Sequence, residues 1–328
     1  MWLLIAVAII AILFIISGLL KGNSRRNLQK QHVVVTGGSS GIGKAVAIEA
    51  ARLGANVTII ARDVQKLEAA QREVVDSCID KENQVIRYLS LDISGCDESM
   101  RSHIEKLEND LGPIYMLVNC AGYSACTKFE DISIKDVKSM MDVNFFGTYC
   151  VTSAVVPLMK KRRSGIVVLV GSQASLLGIF GYAAYSSTKF ALRGLAESLH
   201  MEVCPYKMSV TLALPPDTDT PGFALEEQGK LEETRLVCNS AGLFKPDVVA
   251  KQLIQDALCG KFYSTVGFES FMMKTLCAGM TPFYSVGELI IQAMLMGIFR
   301  IIGQFYMYSF HNIVKNCAKL KDDSKKAE

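Results

Sequence analysis

Histidine is scarce in this 328-residue chain, with four in all, and the 10 cysteines form no repeated Cys-x-x-Cys pair. A zinc centre draws its ligands from those two residue types, so that class of protein is excluded. Charge of one sign is missing too: 35 Lys and Arg against 32 Asp and Glu leave +3. A general nucleic-acid binder carries a much more basic surface, so no nucleic-acid partner is expected. There is no internal repeat and no low-complexity linker. Half of the residues are hydrophobic and 20% are charged, which argues against disorder. A core of full size is available without staples. Scattered cysteines in such a domain read as small buried apolar residues of a reducing compartment.

The two ends differ from the middle. Residues 2–20 carry no charge, and Lys21, Arg25, Arg26 and Lys30 come directly after. A helix of about 20 apolar residues matches the hydrocarbon thickness of a bilayer. The basic flank keeps the chain after the helix in the cytosol. A cleaved signal peptide needs a basic start and a small-residue cleavage site; the first is absent and Ser17-Gly18-Leu19-Leu20 supplies the second poorly. A retained anchor over residues 1–24 is therefore expected. Near the other end, residues 289–299 and 301–310 are apolar runs divided by Arg300, and 262–280 is moderately apolar. Each clean run is short for a span, so a membrane-inserted hairpin or an interfacial helix is expected, against the alternative of a buried dimer helix. The polar tail, residues 313–328, ends Lys325-Lys326-Ala327-Glu328. That ending is similar to the dilysine retrieval signal of endoplasmic-reticulum membrane proteins; the alternative is a solvated basic tail. The expected division is anchor 1–24, central domain 30–260, apolar membrane-associated region 261–312 and cytosolic tail 313–328.

From about residue 32 the chain alternates strands and helices, the rhythm of an α/β doubly wound parallel sheet of Rossmann-like type. Strands are expected at 32–35, 56–61, 85–91, 116–119, 165–170 and 209–214, with helices at 42–53 and 64–76. Several strands are unbroken Val/Ile/Leu runs, as parallel strands buried on both faces require. Thr36-Gly37-Gly38-Ser39-Ser40-Gly41-Ile42-Gly43 joins the first strand to the first helix. Glycines here permit a tight turn, close approach to a pyrophosphate and close helix–strand packing, and the helix N-terminus faces the phosphates. The spacing Gly37, Gly41, Gly43 is not the commonest dinucleotide fingerprint. After the second strand come Ala61-Arg62, then Lys66. A guanidinium and an ammonium at this corner suit the 2′-phosphate of NADP(H). Asp63 is either a ribose acceptor or the cap of the next helix.

Tyr185 and Lys189 stand four apart, on one face of a helix. A phenol has a pKa near 10, too high for ready proton transfer at neutral pH, and an adjacent ammonium lowers it by about one to three units. Ser172 comes after the fifth strand, Asn119-Cys120-Ala121-Gly122 ends the fourth, and Asn144 lies at the start or bend of a helix.

In this order these features resemble the short-chain dehydrogenase/reductase family over residues 30–260. The resemblance implies a catalytic tetrad of Asn144, Ser172, Tyr185 and Lys189 and the cofactor NADPH. Tyr185 would give the carbonyl oxygen its proton. Lys189 would lower the Tyr185 pKa and hold ribose hydroxyls, Ser172 would orient the carbonyl, and Asn144 would hold a water in the proton path. Asp92 would accept from the adenine amine, and Asn119, counted among the cofactor residues, would brace the central strands. Ala121, Gly122, Pro215 and Thr218 would lie along the cofactor, with the glycine-rich turn at its phosphates. Cys120 stands where a second Asn is usual and Gly171 where Ser is frequent. Copies of such chains commonly pair through long helices. Pro215-Pro216-Asp217-Thr218-Asp219-Thr220-Pro221-Gly222-Phe223 is the most distinctive stretch. The membrane ends point to a lipophilic ketone, whether retinoid, steroid or sphingoid; the last carries an amine that Asp217 and Asp219 could meet, unless they cap the next helix. Phe223, Leu225 and the apolar C-terminal region could guide its alkyl chain. The alternative of another class, a non-catalytic NADP(H)-binding scaffold, conflicts with a complete tetrad.

Overall fold

The computed structural model describes residues 26–95, 99–239 and 242–327. The anchor expected over 1–24 lies outside the described residues, as do the side chains of the Lys325-Lys326 ending. Seven parallel strands form one sheet in the order β3-β2-β1-β4-β5-β6-β7. They are β1 (His32–Thr36), β2 (Asn56–Ala61), β3 (Ile86–Ser90), β4 (Ile114–Asn119), β5 (Gly165–Val170), β6 (Met208–Leu214) and β7 (Tyr263–Thr265). β1, β5 and β6 are buried along their whole length, which is why their sequences are continuous apolar runs. β3, at the edge, is buried only at Ile86 and carries Arg87 outward.

Helices cover both faces. On one side α1 (Gly41–Arg52), α2 (Val64–Asp76) and α9 (Pro246–Leu258) pack Val46, Leu67, Val74, Leu253 and Ile254 onto Val33, Val35, Ile59, Met116 and Val168. On the other, α3 (Ser99–Leu111), α5 (Thr148–Arg162) and α6 (Ala183–Val203) pack Ile104, Val155, Met159 and Leu192 onto Val34, Leu117, Val167 and Leu169. Each such fully buried side chain contributes about 1.5–3 kcal/mol of transfer free energy. Connections run outward in one direction from β1 and in the other from β4, so the crevice at the carboxyl ends of these two strands is the topological switch point. α4 (Ile134–Met141) continues through a π-helical turn, Asp142–Gly147, into α5. This is the bend expected at Asn144, and single π-turns of this kind often sit at functional sites.

Three features differ from the sequence expectations. β7 continues the sheet past residue 260, because its three residues are too few to read as a strand. Cys204 and Cys259 are exposed rather than buried. The two C-terminal apolar runs form no hairpin: α11 is one helix, Val286–Ala327, and Arg300 simply points outward from it. Neither Gly nor Pro interrupts residues 298–302, so nothing there stops the helix. Before it, α7 (Pro221–Gly229), α8 (Glu232–Cys238) and α10 (Gly267–Leu276) surround the carboxyl end of the sheet.

Candidate active site

A cavity of about 790 Å³ opens at the switch point. Its first wall is the turn between β1 and α1. Gly37 has φ +67° and lies so close to β4 that a Cβ would stand 2.8 Å from the Ala121 backbone. A Cβ on Gly43 would meet the Gly37 carbonyl oxygen at 2.3 Å, so α1 can begin where it does only with glycine there. Ser40 is the N-cap of α1, yet its side chain makes no capping hydrogen bond. The first N–H groups of α1 therefore face the cavity with Gly37, Ser39, Ser40, Gly41, Ile42 and Gly43. That is the arrangement a pyrophosphate fits.

At the end of β2, Arg62, Lys66 and Asp92 line the same cavity. Asp63 accepts from the Lys66 backbone N–H at 3.0 Å and caps α2, and it also lines the cavity. Arg62 lies 3.7 Å from Asp92 and Lys66 3.7 Å from Asp63. Arg62 is 70% exposed, and loose surface pairs of this kind are worth little, so both cations are free to turn to a phosphate. The Ser94 backbone N–H holds the Asp92 carboxyl below its ordinary range against the opposing effect of burial, with the Ser94 hydroxyl and Arg62 adding to it.

The chemistry gathers at the other end. Ser172 comes after β5 and caps a short 3₁₀ turn, Gln173–Ser175. A Cβ at Gly171 would stand 2.7 Å from Ser175 Oγ, which explains glycine where the family often has serine. Tyr185 lies in the first turn of α6 and shares a hydrogen bond with Ser172. Lys189, one turn further, is buried and donates to the Val170 carbonyl at 3.0 Å; its Nζ is 5.7 Å from the centre of the Tyr185 ring. Ser172, Tyr185, Lys189, Ala121, Gly122, Pro215 and Thr218 all line the cavity. Cys120 lines it as well, with its thiol pushed up to about 12 by burial.

Two expected residues stand behind the wall. Asn144 is fully buried, donates to the Tyr123 carbonyl at 2.9 Å and to Thr188 Oγ1 at 3.0 Å, and accepts from the Tyr123 N–H at 3.0 Å. It faces Lys189 across Gly122, where a Cβ would lie 3.0 Å from Asn144 Oδ1 and 3.7 Å from Lys189 Nζ. Asn119, expected among the cofactor residues, does not line the cavity: its Nδ2 donates to Thr152 Oγ1 at 3.0 Å and ties β4 to α5. That contact joins a strand to a helix, not one central strand to another.

In this structure the Tyr185 pKa lies above its ordinary value, not below it. Burial raises the phenol above its ordinary value, the Ser172 hydrogen bond works downward, and the carboxylates of Glu226 and Asp217 push it up further. Burial also brings the Lys189 pKa down to about 8, so its own charge is costly in this setting. Sequence reasoning misses Glu226. It lines the cavity from α7 and accepts from both Tyr182 Oη and Ser124 Oγ. Its sequence signal is faint, an acid four residues before Lys230 on a short helix. Asp217 lines the cavity, whereas Asp219 is exposed away from it.

The family profile described as short chain dehydrogenase matches residues 31–230. The chain belongs to that family. A 3-ketodihydrosphingosine reductase of Bos taurus is 46% identical over 315 residues, covering 96% of this chain and 94% of that one. A 3-dehydrosphinganine reductase of Danio rerio is 45% identical over 322 residues, 98% and 96% of the two chains. Among solved structures, levodione reductase shares the fold with TM-score 0.64 at 20% identity, over 70% of this chain and 91% of that one. A metagenomic short-chain oxidoreductase in complex with NADP has TM-score 0.58 at 25% identity over the same shares.

Proposed function

We propose that this protein reduces 3-oxosphinganine to sphinganine with NADPH, a step of sphingolipid synthesis. One observation carries the reading: likeness to reductases of that name extends over 98% of the chain, well past the family match that ends at residue 230, through the C-terminal helix. The residues fit the cofactor. The glycine turn and the α1 N-terminus suit its pyrophosphate, Arg62 and Lys66 its 2′-phosphate, Asp92 its adenine, and Ala121, Gly122, Pro215 and Thr218 its nicotinamide half. When bound, NADPH supplies the hydride that ends on the ketone carbon. Ser172 holds the carbonyl oxygen. Tyr185 gives that oxygen its proton, completing the alcohol. Lys189 holds ribose hydroxyls and returns a proton to Tyr185, and Asn144 fixes the backbone beside it. Phe223 and Leu225, at the mouth, receive the alkyl chain.

The test is NADPH consumption by the membrane-bound protein given 3-oxosphinganine, with a retinal and a steroid ketone in parallel. Consumption with the sphingoid ketone alone is expected. Consumption only with a retinoid or steroid would keep the chemistry and overturn the substrate. NADPH binding with no turnover on any ketone would favour a scaffold.

α11 bears on location. Among the described residues it is the one helix long and apolar enough to cross a membrane, and only 11% of its most apolar stretch is buried. It nevertheless rests on the catalytic domain along its length. Glu288 pairs with Lys274 at 2.7 Å, Phe299 sits edge-on to Phe268 and Phe271 at 6.0 Å, and Lys321 pairs with Glu233 at 2.5 Å. From 288 to 321 a helix extends about 50 Å, beyond the ~30 Å hydrocarbon layer. A helix holding all three contacts lies in the membrane plane. Met294, Ile298, Ile301, Phe305 and Tyr308, spaced four and three apart, form the exposed apolar stripe that would enter it. Together with the dilysine ending and the basic flank after residue 20, this stripe supports a location on the endoplasmic-reticulum membrane, with the catalytic domain in the cytosol. Photolabelling from a diazirine lipid should mark those five side chains and spare Phe299 and Cys317. Labelling on every face would mean that α11 crosses the bilayer undocked.

A further inference from the structure

Charged side chains line the cavity at both ends. Arg62 and Lys66 stand with Asp92 and Asp63 near β2; Asp217 and Glu226 line the end near α7, beside Tyr185. The cation paired with Asp217 and Glu226 does not itself line the cavity. Lys230 is 2% exposed and stands behind the wall, 2.5 Å from Glu227, 3.7 Å from Asp217 and 4.0 Å from Glu226. Its shortest pair is thus with Glu227, which does not line the cavity either. Arg235 also leans on Glu227, at 3.8 Å, but pairs more closely with Glu232 at 2.9 Å. Two carboxylates therefore face the reaction space, sharing one ammonium behind the wall, while Lys189, the other cation at this end, donates to the Val170 carbonyl.

Glu226 is held rigidly. Tyr182 and Ser124 each donate to one of its oxygens, and the Tyr182 ring packs 5.5 Å from that of Tyr185. A carboxylate has about four acceptor positions, so roughly half remain for a ligand. Half-buried acid in a cavity wall is costly unless a cation meets it. The ketone of the proposed reaction carries its amine on the carbon next to the carbonyl. With the carbonyl oxygen at Ser172 and Tyr185, that amine is within a few ångströms of the tyrosine, on whichever wall receives it.

We propose that Glu226, seconded by Asp217, receives the protonated amine of the substrate and is the specificity-determining residue of this reductase. The assignment rests on the amino-ketone reading above. It has a consequence for the chemistry. The two carboxylates raise the Tyr185 phenol, and an arriving ammonium cancels that effect, so the substrate's own charge eases proton donation by Tyr185. Amine recognition should therefore appear in kcat as well as in KM.

The experiment compares 3-oxosphinganine with the same ketone bearing hydrogen in place of the amine, in the full chain with NADPH. Glu226→Gln keeps the size of the side chain and can still bond Tyr182 and Ser124, so the fold is retained. It should lose about 10- to 100-fold in kcat/KM on the amino ketone and at least several-fold less on the des-amino ketone. Asp217→Asn should act in the same direction, more weakly. A second measurement needs no variant: the wild-type preference for the amino ketone should fade as pH rises through the amine's own pKa. Equal losses on both ketones, or a preference that ignores pH, would overturn the assignment while the substrate reading stands. A wild-type protein that reduces neither sphingoid ketone would overturn both.

Discussion

Tyr185→Phe should lower turnover by about 10²- to 10⁴-fold while NADPH binding stays nearly unchanged. The substitution removes one oxygen and keeps the ring, with its contact to Tyr182 and its place beside Lys189. Ser172 keeps its 3₁₀ cap, since Ala174 and Ser175 hold it independently of Tyr185. The loss therefore falls on proton transfer, not on the architecture of the cavity. Burial raises this phenol, so Tyr185 arrives protonated, which a proton donor in reduction requires. Rate measured with saturating NADPH, alongside fluorescence titration of the cofactor, separates the two effects. Turnover surviving the substitution would remove Tyr185 as the acid and return the scaffold reading to consideration.

The residues that make this cavity are legible in the sequence to different degrees, for physical reasons. The glycine turn, Tyr185 and Lys189 are local patterns: each needs only its neighbours in sequence to be placed on a turn or a helix face. β1, β5 and β6 are readable because parallel strands buried on both faces leave unbroken apolar runs, and β7 escapes because three residues carry no period. Glu226 escapes for another reason. It sits on α7, which has no fully buried residue of its own, and only the long-range approach of Ser124 and Tyr182 turns it toward the cavity. Arg62 is visible as a residue type at a strand end, but its loose pairing with Asp92 depends on where β3 ends. The continuity of α11 is hidden because Arg300 looks like a break; on a helix lying across a surface, one outward arginine interrupts nothing.

Lys189→Met should abolish rapid reduction and yet stabilise the fold. Burial lowers the Lys189 pKa from 10.5 to about 8. At neutral pH the lysine is still an ammonium, held inside the protein by one carbonyl. Below about pH 8 both folded and unfolded chains carry this proton, and the full cost of the buried charge is present. Between about 8 and 10.5 the unfolded chain binds the proton more strongly, so stability rises with pH across that window. The shift corresponds to no more than about 3 kcal/mol, part of which Met returns by removing the charge while filling much the same volume. Unfolding by denaturant at pH 7 should therefore show a gain for the variant, shrinking toward pH 10. Reduction should move the opposite way in the wild type, falling as pH passes about 8, because the neutral amine no longer returns a proton to Tyr185. A flat rate up to pH 10 would mean that the ammonium form is not required. A variant less stable than wild type would mean that the hydrogen bond to Val170 outweighs the desolvation of the charge.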